Sequence, residues 1–209
     1  LFLMGMVQGV MAQEKEPYAA LSDDSKVLTF YYDTQKAERN GMSVGPFEDN
    51  NTARRWNLLR RSITTVVFDA SFADCTSLTS TAYWFDQCDN LTTITGIKNL
   101  KTDNVTNMKY MFNSCWSLRS LDVSGFRTDN VTDMSFLFSS CYALRSLDVS
   151  NFKTGNVTNM NNMFSSCNYL QNLDVSGFKT DKVTNMSYMF FGCSSLTSLD
   201  VSGFKTDNV

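Results

Sequence analysis

The chain has 209 residues, 43% hydrophobic and 19% charged, a balance that excludes an intrinsically disordered polypeptide. Its net charge of −3 comes with no Lys/Arg-rich cluster, so no nucleic-acid partner is expected. Histidine is absent, which removes the commonest general base and the commonest zinc ligand.

In chain order, the first twelve residues, LFLMGMVQGVMA, are apolar and uncharged but too short to cross a bilayer as a helix. Val10 and Ala12 fit the small-residue pattern of a signal-peptidase site before Gln13. Residues 1–12 are therefore expected to be a signal-peptide remnant on an exported chain, against the alternative of a buried N-terminal strand or helix. No cysteine follows the run, which argues against a lipid anchor there. From 13 to 62 nothing repeats. Lys26–Asp33 is rich in β formers, Asn40-Gly41 is a hairpin signal, and Trp56, Leu58 and Leu59 offer an apolar face. This segment is expected to be an N-terminal β-rich cap shielding the open edge of the repeats that begin at Ile63. A separate ligand-binding domain is the alternative, though fifty residues is small for one.

From 63 to 209 the chain repeats. Val105, Val131, Val157, Val183 and Val209 are 26 residues apart, as are Cys115, Cys141, Cys167 and Cys193, and Phe126, Phe152, Phe178 and Phe204. One unit reads L-x-x-L-D-V-S-x-F-[KR]-T-x-x-V-T-x-M-x-x-[ML]-F-x-x-C-x-x. A weaker copy lies upstream, where Trp84-Phe85 with Cys88 precedes Met111-Phe112 with Cys115 by 27. About five units run from Ile63 to Ser195, with a partial sixth to Val209, so the full protein is expected to extend further. The two-residue step of Leu121 and Val123 has the period of a strand, with Ile63, Val66 and Phe68 as a first strand. Val131, Met134, Leu137, Phe138 and Cys141 have the spacing of one helix face, with Asn130 or Thr132 as its cap. The expected fold is an α/β solenoid, a stack of short parallel strands and short helices behind the β-rich cap. One unit alone buries too little apolar surface to offset its backbone entropy, so the units must stack.

LxxLDVSxF followed by NVTxMxxMFxxCxxL resembles the BspA-like leucine-rich-repeat surface proteins of bacteria, over about Ile63 to Val209. YAxLSDDxxVLTFYYD at Tyr18–Asp33 resembles the lead-in such proteins carry. The resemblance implies a leucine-rich-repeat-like fold, a bacterial cell-surface or secreted location, and attachment to host matrix proteins or other cells. Phe126, Phe152, Phe178 and Phe204 stand where such repeats place a ladder of asparagines. That ladder is therefore expected to be missing.

Cys115, Cys141, Cys167 and Cys193 are expected as a column of buried thiols, since parallel Cβ vectors suit neither disulfides nor a zinc site. Cys75 breaks the period and is the candidate for an irregular pairing with Cys88. Asp122, Asp148, Asp174 and Asp200 alternate with core residues and should form an exposed row beside a basic row of Arg127, Lys153, Lys179 and Lys205. Calcium bridged by neighbouring aspartates is a minor option. Ser120, Ser124, Ser146, Ser150, Asn172, Ser176, Ser198 and Ser202 complete a flat polar face, the candidate binding surface. Asn104, Asn130 and Asn156 belong to the unit as helix-start chemistry rather than glycan acceptors, and Met108, Met134, Met160 and Met186 are core fillers. An active site is made once, whereas this pattern recurs in every unit. The chain is thus expected to be no enzyme, to use no cofactor or metal, and to bind an extracellular protein or glycan as a monomer. The alternatives are a carbohydrate-active enzyme on a parallel β-helix, or a spacer presenting a C-terminal domain.

Overall fold

The computed structural model describes residues 13–49 and 55–209; the apolar run 1–12 lies outside them. Strands β1 (Glu16–Leu21) and β2 (Val27–Asp33) form an antiparallel hairpin, Leu21 opposite Leu28. Its turn is closed by Ser22, whose N–H donates to the Val27 carbonyl at 2.9 Å and whose hydroxyl donates to Asp24 at 2.7 Å. The short β3 (Met42–Ser43) pairs antiparallel with β1 on one side. On the other, β2 pairs in parallel with β4 (Thr65–Phe68), and β4 with β5 (Thr93–Thr95). The sheet is mixed, five-stranded, and ordered β3-β1-β2-β4-β5. The Asn40-Gly41 signal marks not the β1–β2 turn but the entry to β3. A Cβ on Gly41 would collide with the Tyr18 ring and lie 2.7 Å from Lys36 Cγ.

Beneath this sheet Phe30 packs against Phe68 (4.8 Å between ring centres), Trp84 (4.7 Å), Phe72 and Trp56, all fully or almost fully buried. The indole N–H of Trp56 donates to the Trp84 carbonyl at 3.0 Å, and that of Trp84 to the Val44 carbonyl at 2.9 Å. Two large rings are thereby buried without stranding a donor.

The expected α/β solenoid is corrected by this architecture. The described residues contain a mixed five-stranded sheet and short 3-10 turns at Arg55–Leu59, Ala70–Asp74 and Ile97–Asn99, with no α-helix. The segment 131–141, with its helical spacing, is instead a run of tight turns. Met111, Leu137 and Met163 N–H groups each bond three residues back, to Met108, Met134 and Met160. The N–H groups between them reach into the next unit: Tyr110 to Ser135, Phe112 to Leu137, Ser114 to Ser139, at 2.7–3.0 Å. Such alternation needs left-handed residues, and Tyr110, Ser114, Phe136, Ser140, Asn162 and Ser166 all have φ between 54° and 59°. An α-helix of L-residues admits none of these. Three-residue turns and helices share an apolar spacing of three, which is why the letters alone misled. The expected repeat strands likewise shrink to single parallel bridges, such as Ser120–Ser146–Asn172 and Asn107–Asp133–Asn159–Asn185.

Successive units lie in register through this bonding. The rings of Phe85, Phe112, Phe138, Phe164 and Phe190 form one column with centres 5.4–5.8 Å apart. Two polar ladders run beside it. Buried Thr102, Thr128, Thr154 and Thr180 each clasp one residue of the next unit: the Thr102 hydroxyl accepts from the Arg127 N–H at 2.7 Å and donates to the Arg127 carbonyl at 2.9 Å. The second ladder is of asparagines. Asn104, Asn130, Asn156 and Asn208 donate to backbone carbonyls of the preceding unit at 2.7–3.0 Å. At Phe126, Phe152 and Phe178 buried rings stand in place of asparagines, and this separate asparagine ladder lies at the positions expected to be helix starts.

Candidate functional site

The polar face is built by alternation about the buried Val123, Val149 and Val175. Ser120, Asp122, Ser124, Ser146, Asp148, Ser150, Asn172, Asp174, Ser176, Ser198, Asp200 and Ser202 are all exposed. In each unit an aspartate oxygen accepts from the N–H two residues on: Asp122 from Ser124, Asp148 from Ser150, Asp174 from Ser176, Asp200 from Ser202, each at 2.9 Å. The serine hydroxyl and this N–H together hold all four carboxyls below the ordinary 3.8. The aspartates are thus charged, with part of their acceptor capacity spent on closing a turn. Arg127, Lys153, Lys179 and Lys205 are exposed as well.

Behind this face Phe126, Phe152 and Phe178 are buried and Phe204 is half-buried. No disulfide is assigned to any of the six cysteines, Cys75 and Cys88 included. Cys115, Cys141, Cys167 and Cys193 donate to the carbonyls of Phe85, Phe112, Phe138 and Phe164 at 3.1–3.3 Å, stitching each unit to the one before. Burial pushes Cys141 up to about 12 and holds Cys115 and Cys167 well above the ordinary 9.0. Neutral thiols so placed are poor nucleophiles and poor metal ligands. Among the described residues, no group of His, Cys, Asp and Glu side chains is arranged to hold a metal ion. Met108, Met134 and Met160 are buried and Met186 half-buried.

A second set of exposed side chains was not anticipated. Trp116 and Tyr142 directly follow the cysteine of their units and Tyr169 comes two residues after Cys167; they remain 44%, 39% and 59% exposed. The rings of Trp116 and Tyr142 stack at 5.8 Å, and the Arg145 guanidinium lies over Tyr169 at 6.0 Å. Trp116 and Arg119 line a shallow depression of about 410 Å³ with Thr92, Ser117 and Ala143. Since Arg119 adjoins Ser120, and Arg145 adjoins Ser146, the aromatic strip and the polar face are one continuous surface. The available signal was the pair of letters after each cysteine, which varies from unit to unit and holds an aromatic in three of them: Trp116, Tyr142 and Tyr169. Such a surface offers ring faces and edges, guanidinium donors, hydroxyls and charged carboxylates.

The profile of a family described as Mycoplasma protein of unknown function, DUF285, matches residues 61–147 and again 139–209. The chain belongs to the DUF285 family. The two matches together cover the repeats of this DUF285 chain, from 61 to 209. No curated protein and no solved structure matches it. No helix among the described residues of the DUF285 chain is long and apolar enough to cross a membrane.

Proposed function

We propose that this DUF285 chain is an exported, BspA-like surface module that binds an extracellular protein or glycan through the face formed by Trp116, Tyr142 and Tyr169 and the adjoining Ser/Asp rows. The supporting observation is the way sequence variation falls on the fold. Interior positions such as Phe112, Phe138 and Phe164 or Cys115, Cys141 and Cys167 repeat from unit to unit, while the residues just after each cysteine vary and present Trp116, Tyr142 and Tyr169 to solvent. Exposed aromatics flanked by Arg are the side chains most enriched at binding hot spots. A patch of large rings on an otherwise polar surface costs solubility unless a partner covers it.

An array of immobilised matrix proteins and host glycans, probed with the full chain, tests the proposal. Capture by at least one component, lost on Trp116→Ala/Tyr142→Ala/Tyr169→Ala with an unchanged urea midpoint, is the expected result. Capture that survives the triple substitution would move the function off this face. Silence across the array would favour a spacer.

A further inference from the structure

Every unit but one balances its charges along the edge beyond the Phe column. A basic residue is followed two positions on by an aspartate: Lys101 and Asp103, Arg127 and Asp129, Lys179 and Asp181, Lys205 and Asp207. In the remaining unit Lys153 is followed by Gly155. One unit further, the ladder asparagine is replaced by Lys182, whereas the other units carry Asn104, Asn130, Asn156 and Asn208 there. One carboxylate lost and one ammonium gained make this neighbourhood two charges more positive than the repeat pattern dictates.

The two departures meet in space. Lys182 Nζ donates to Asn156 Oδ1 at 2.8 Å, and Asn156 in turn donates to the Asp129 carbonyl at 2.8 Å. Lys179 is held beside this point because its N–H and carbonyl are both clasped by the Thr154 hydroxyl, at 2.7 and 3.0 Å. Between Lys153 and Lys179 lies a depression of about 610 Å³, floored by Gly155 and Gly177 and bounded at one end by Asp129. Backbone geometry does not require glycine at 155. Neither Gly155 nor Gly177 has positive φ. A Cβ on Gly155 would meet nothing closer than Lys179 Cδ at 3.8 Å, and one on Gly177 would meet nothing within 4 Å. Asp129 and Asp181 occupy the same place as Gly155 in the units on either side. The missing carboxylate therefore changes charge and opens space, without relieving strain.

We infer that the cleft at Gly155, lined by Lys153 and Lys179, with Lys182 bonded to the lining residue Asn156, binds the carboxylate or sulfate groups of an anionic glycan. Two ammonium groups on an open, amide-bearing floor and a third beside it on Asn156 match an acidic sugar better than a buried phosphate pocket, since the lysines are exposed and rotatable. The flanking basic residues Arg127 and Lys205 continue the row for a chain longer than one sugar. This site is separate from the aromatic strip, so the two ideas stand or fall apart.

The full chain is titrated with a fluorescent heparin oligosaccharide as the sulfated probe, hyaluronan as the carboxylated one, neutral dextran, and a DNA duplex of similar charge. Saturable binding of one or both acidic glycans is expected, weakening with salt. Gly155→Asp, which restores the neighbours' residue, should weaken it about tenfold, and Gly155→Asp/Lys182→Asn by about a hundredfold, as loss of one and then two ionic contacts implies. An unchanged urea midpoint in both variants would show that the fold is intact. Equal affinity in wild type and double variant would overturn the inference, as would DNA binding as tight as heparin, or no binding of either acidic glycan. Loss of binding in the Trp116/Tyr142/Tyr169 variant but not in the Gly155 variants would transfer the ligand to the aromatic face.

Discussion

The same substitution at two buried threonines should have opposite effects. Thr128 is fully buried, and its hydroxyl accepts from the Lys153 N–H at 2.7 Å and donates to the Lys153 carbonyl at 3.2 Å. Thr81 is also fully buried, where later units place methionine, and its hydroxyl has no hydrogen-bond partner among the described residues. Valine keeps the shape of threonine and deletes only the hydroxyl. At 128 that removes two bonds worth about 0.5–1.5 kcal/mol each and leaves two backbone groups of Lys153 short of a partner, so a loss of about 2–4 kcal/mol is expected. At 81 it removes an unpaired polar atom from an apolar site and should leave stability unchanged or raise it by about 1 kcal/mol. Urea unfolding followed by circular dichroism measures both, with equal slopes required for the comparison. If the two variants fall within about 0.5 kcal/mol of each other, the threonine ladder does not carry the inter-unit energy ascribed to it.

Phe138→Ala, in the middle of the ring column between Phe112 at 5.8 Å and Phe164 at 5.7 Å, should cost about 3–5 kcal/mol. Phe190→Ala, half-buried and at the end of the ring column, with the Phe164 ring at 5.8 Å and only the half-buried Phe204 ring besides, at 6.5 Å, should cost less than half as much in the same assay. A thiol reagent at pH 7 should find Cys115, Cys141 and Cys167 silent in the native chain and count six thiols in denaturant. Fewer than six would reveal a disulfide. Serine hydroxyls and backbone N–H groups hold Asp24, Asp69, Asp122, Asp148, Asp174 and Asp200 below 3.8 in the folded chain. Their contribution is therefore complete above about pH 4 and disappears as pH falls through the lower folded values. The urea midpoint should be flat from about pH 7 to 5 and fall below about pH 4. A rise on acidification would contradict the assigned bonds.

The legible part of this fold is set by what each letter reports. Recurrence every 26 residues marked Phe112 and Phe138, or Cys115 and Cys141, as equivalent, and equivalent residues of stacked units touch. Backbone conformation was not legible in the same way. Val131, Met134, Leu137 and Phe138 point inward whether a helix or a chain of three-residue turns carries them, and only the left-handed Phe136 and Ser140 decide between these. Those two residues are not glycines, so no compositional flag marked them. The parallel pairing of β2 with β4 was invisible because the partners Val27 and Thr65 are far apart in sequence. The ladder asparagines were visible but misassigned: Asn130 looks the same as a cap and as a rung. On the surface, Ser120 to Ser202 were found through alternation, whereas Trp116, Tyr142 and Tyr169 sat at positions that broke the consensus and were passed over.

The clasp of each threonine, asparagine and cysteine on an adjoining unit has a consequence for how such a gene changes length. Excision or duplication of 26 codons within 107–185 rejoins donors to acceptors of identical chemistry, so the molecule can grow or shrink in whole steps. Removal of 25 codons would set every later ring, thiol and hydroxyl against the wrong partner. The reading of the backbone thus acts as a ratchet on heredity, passing integer changes of the repeat and rejecting fractional ones.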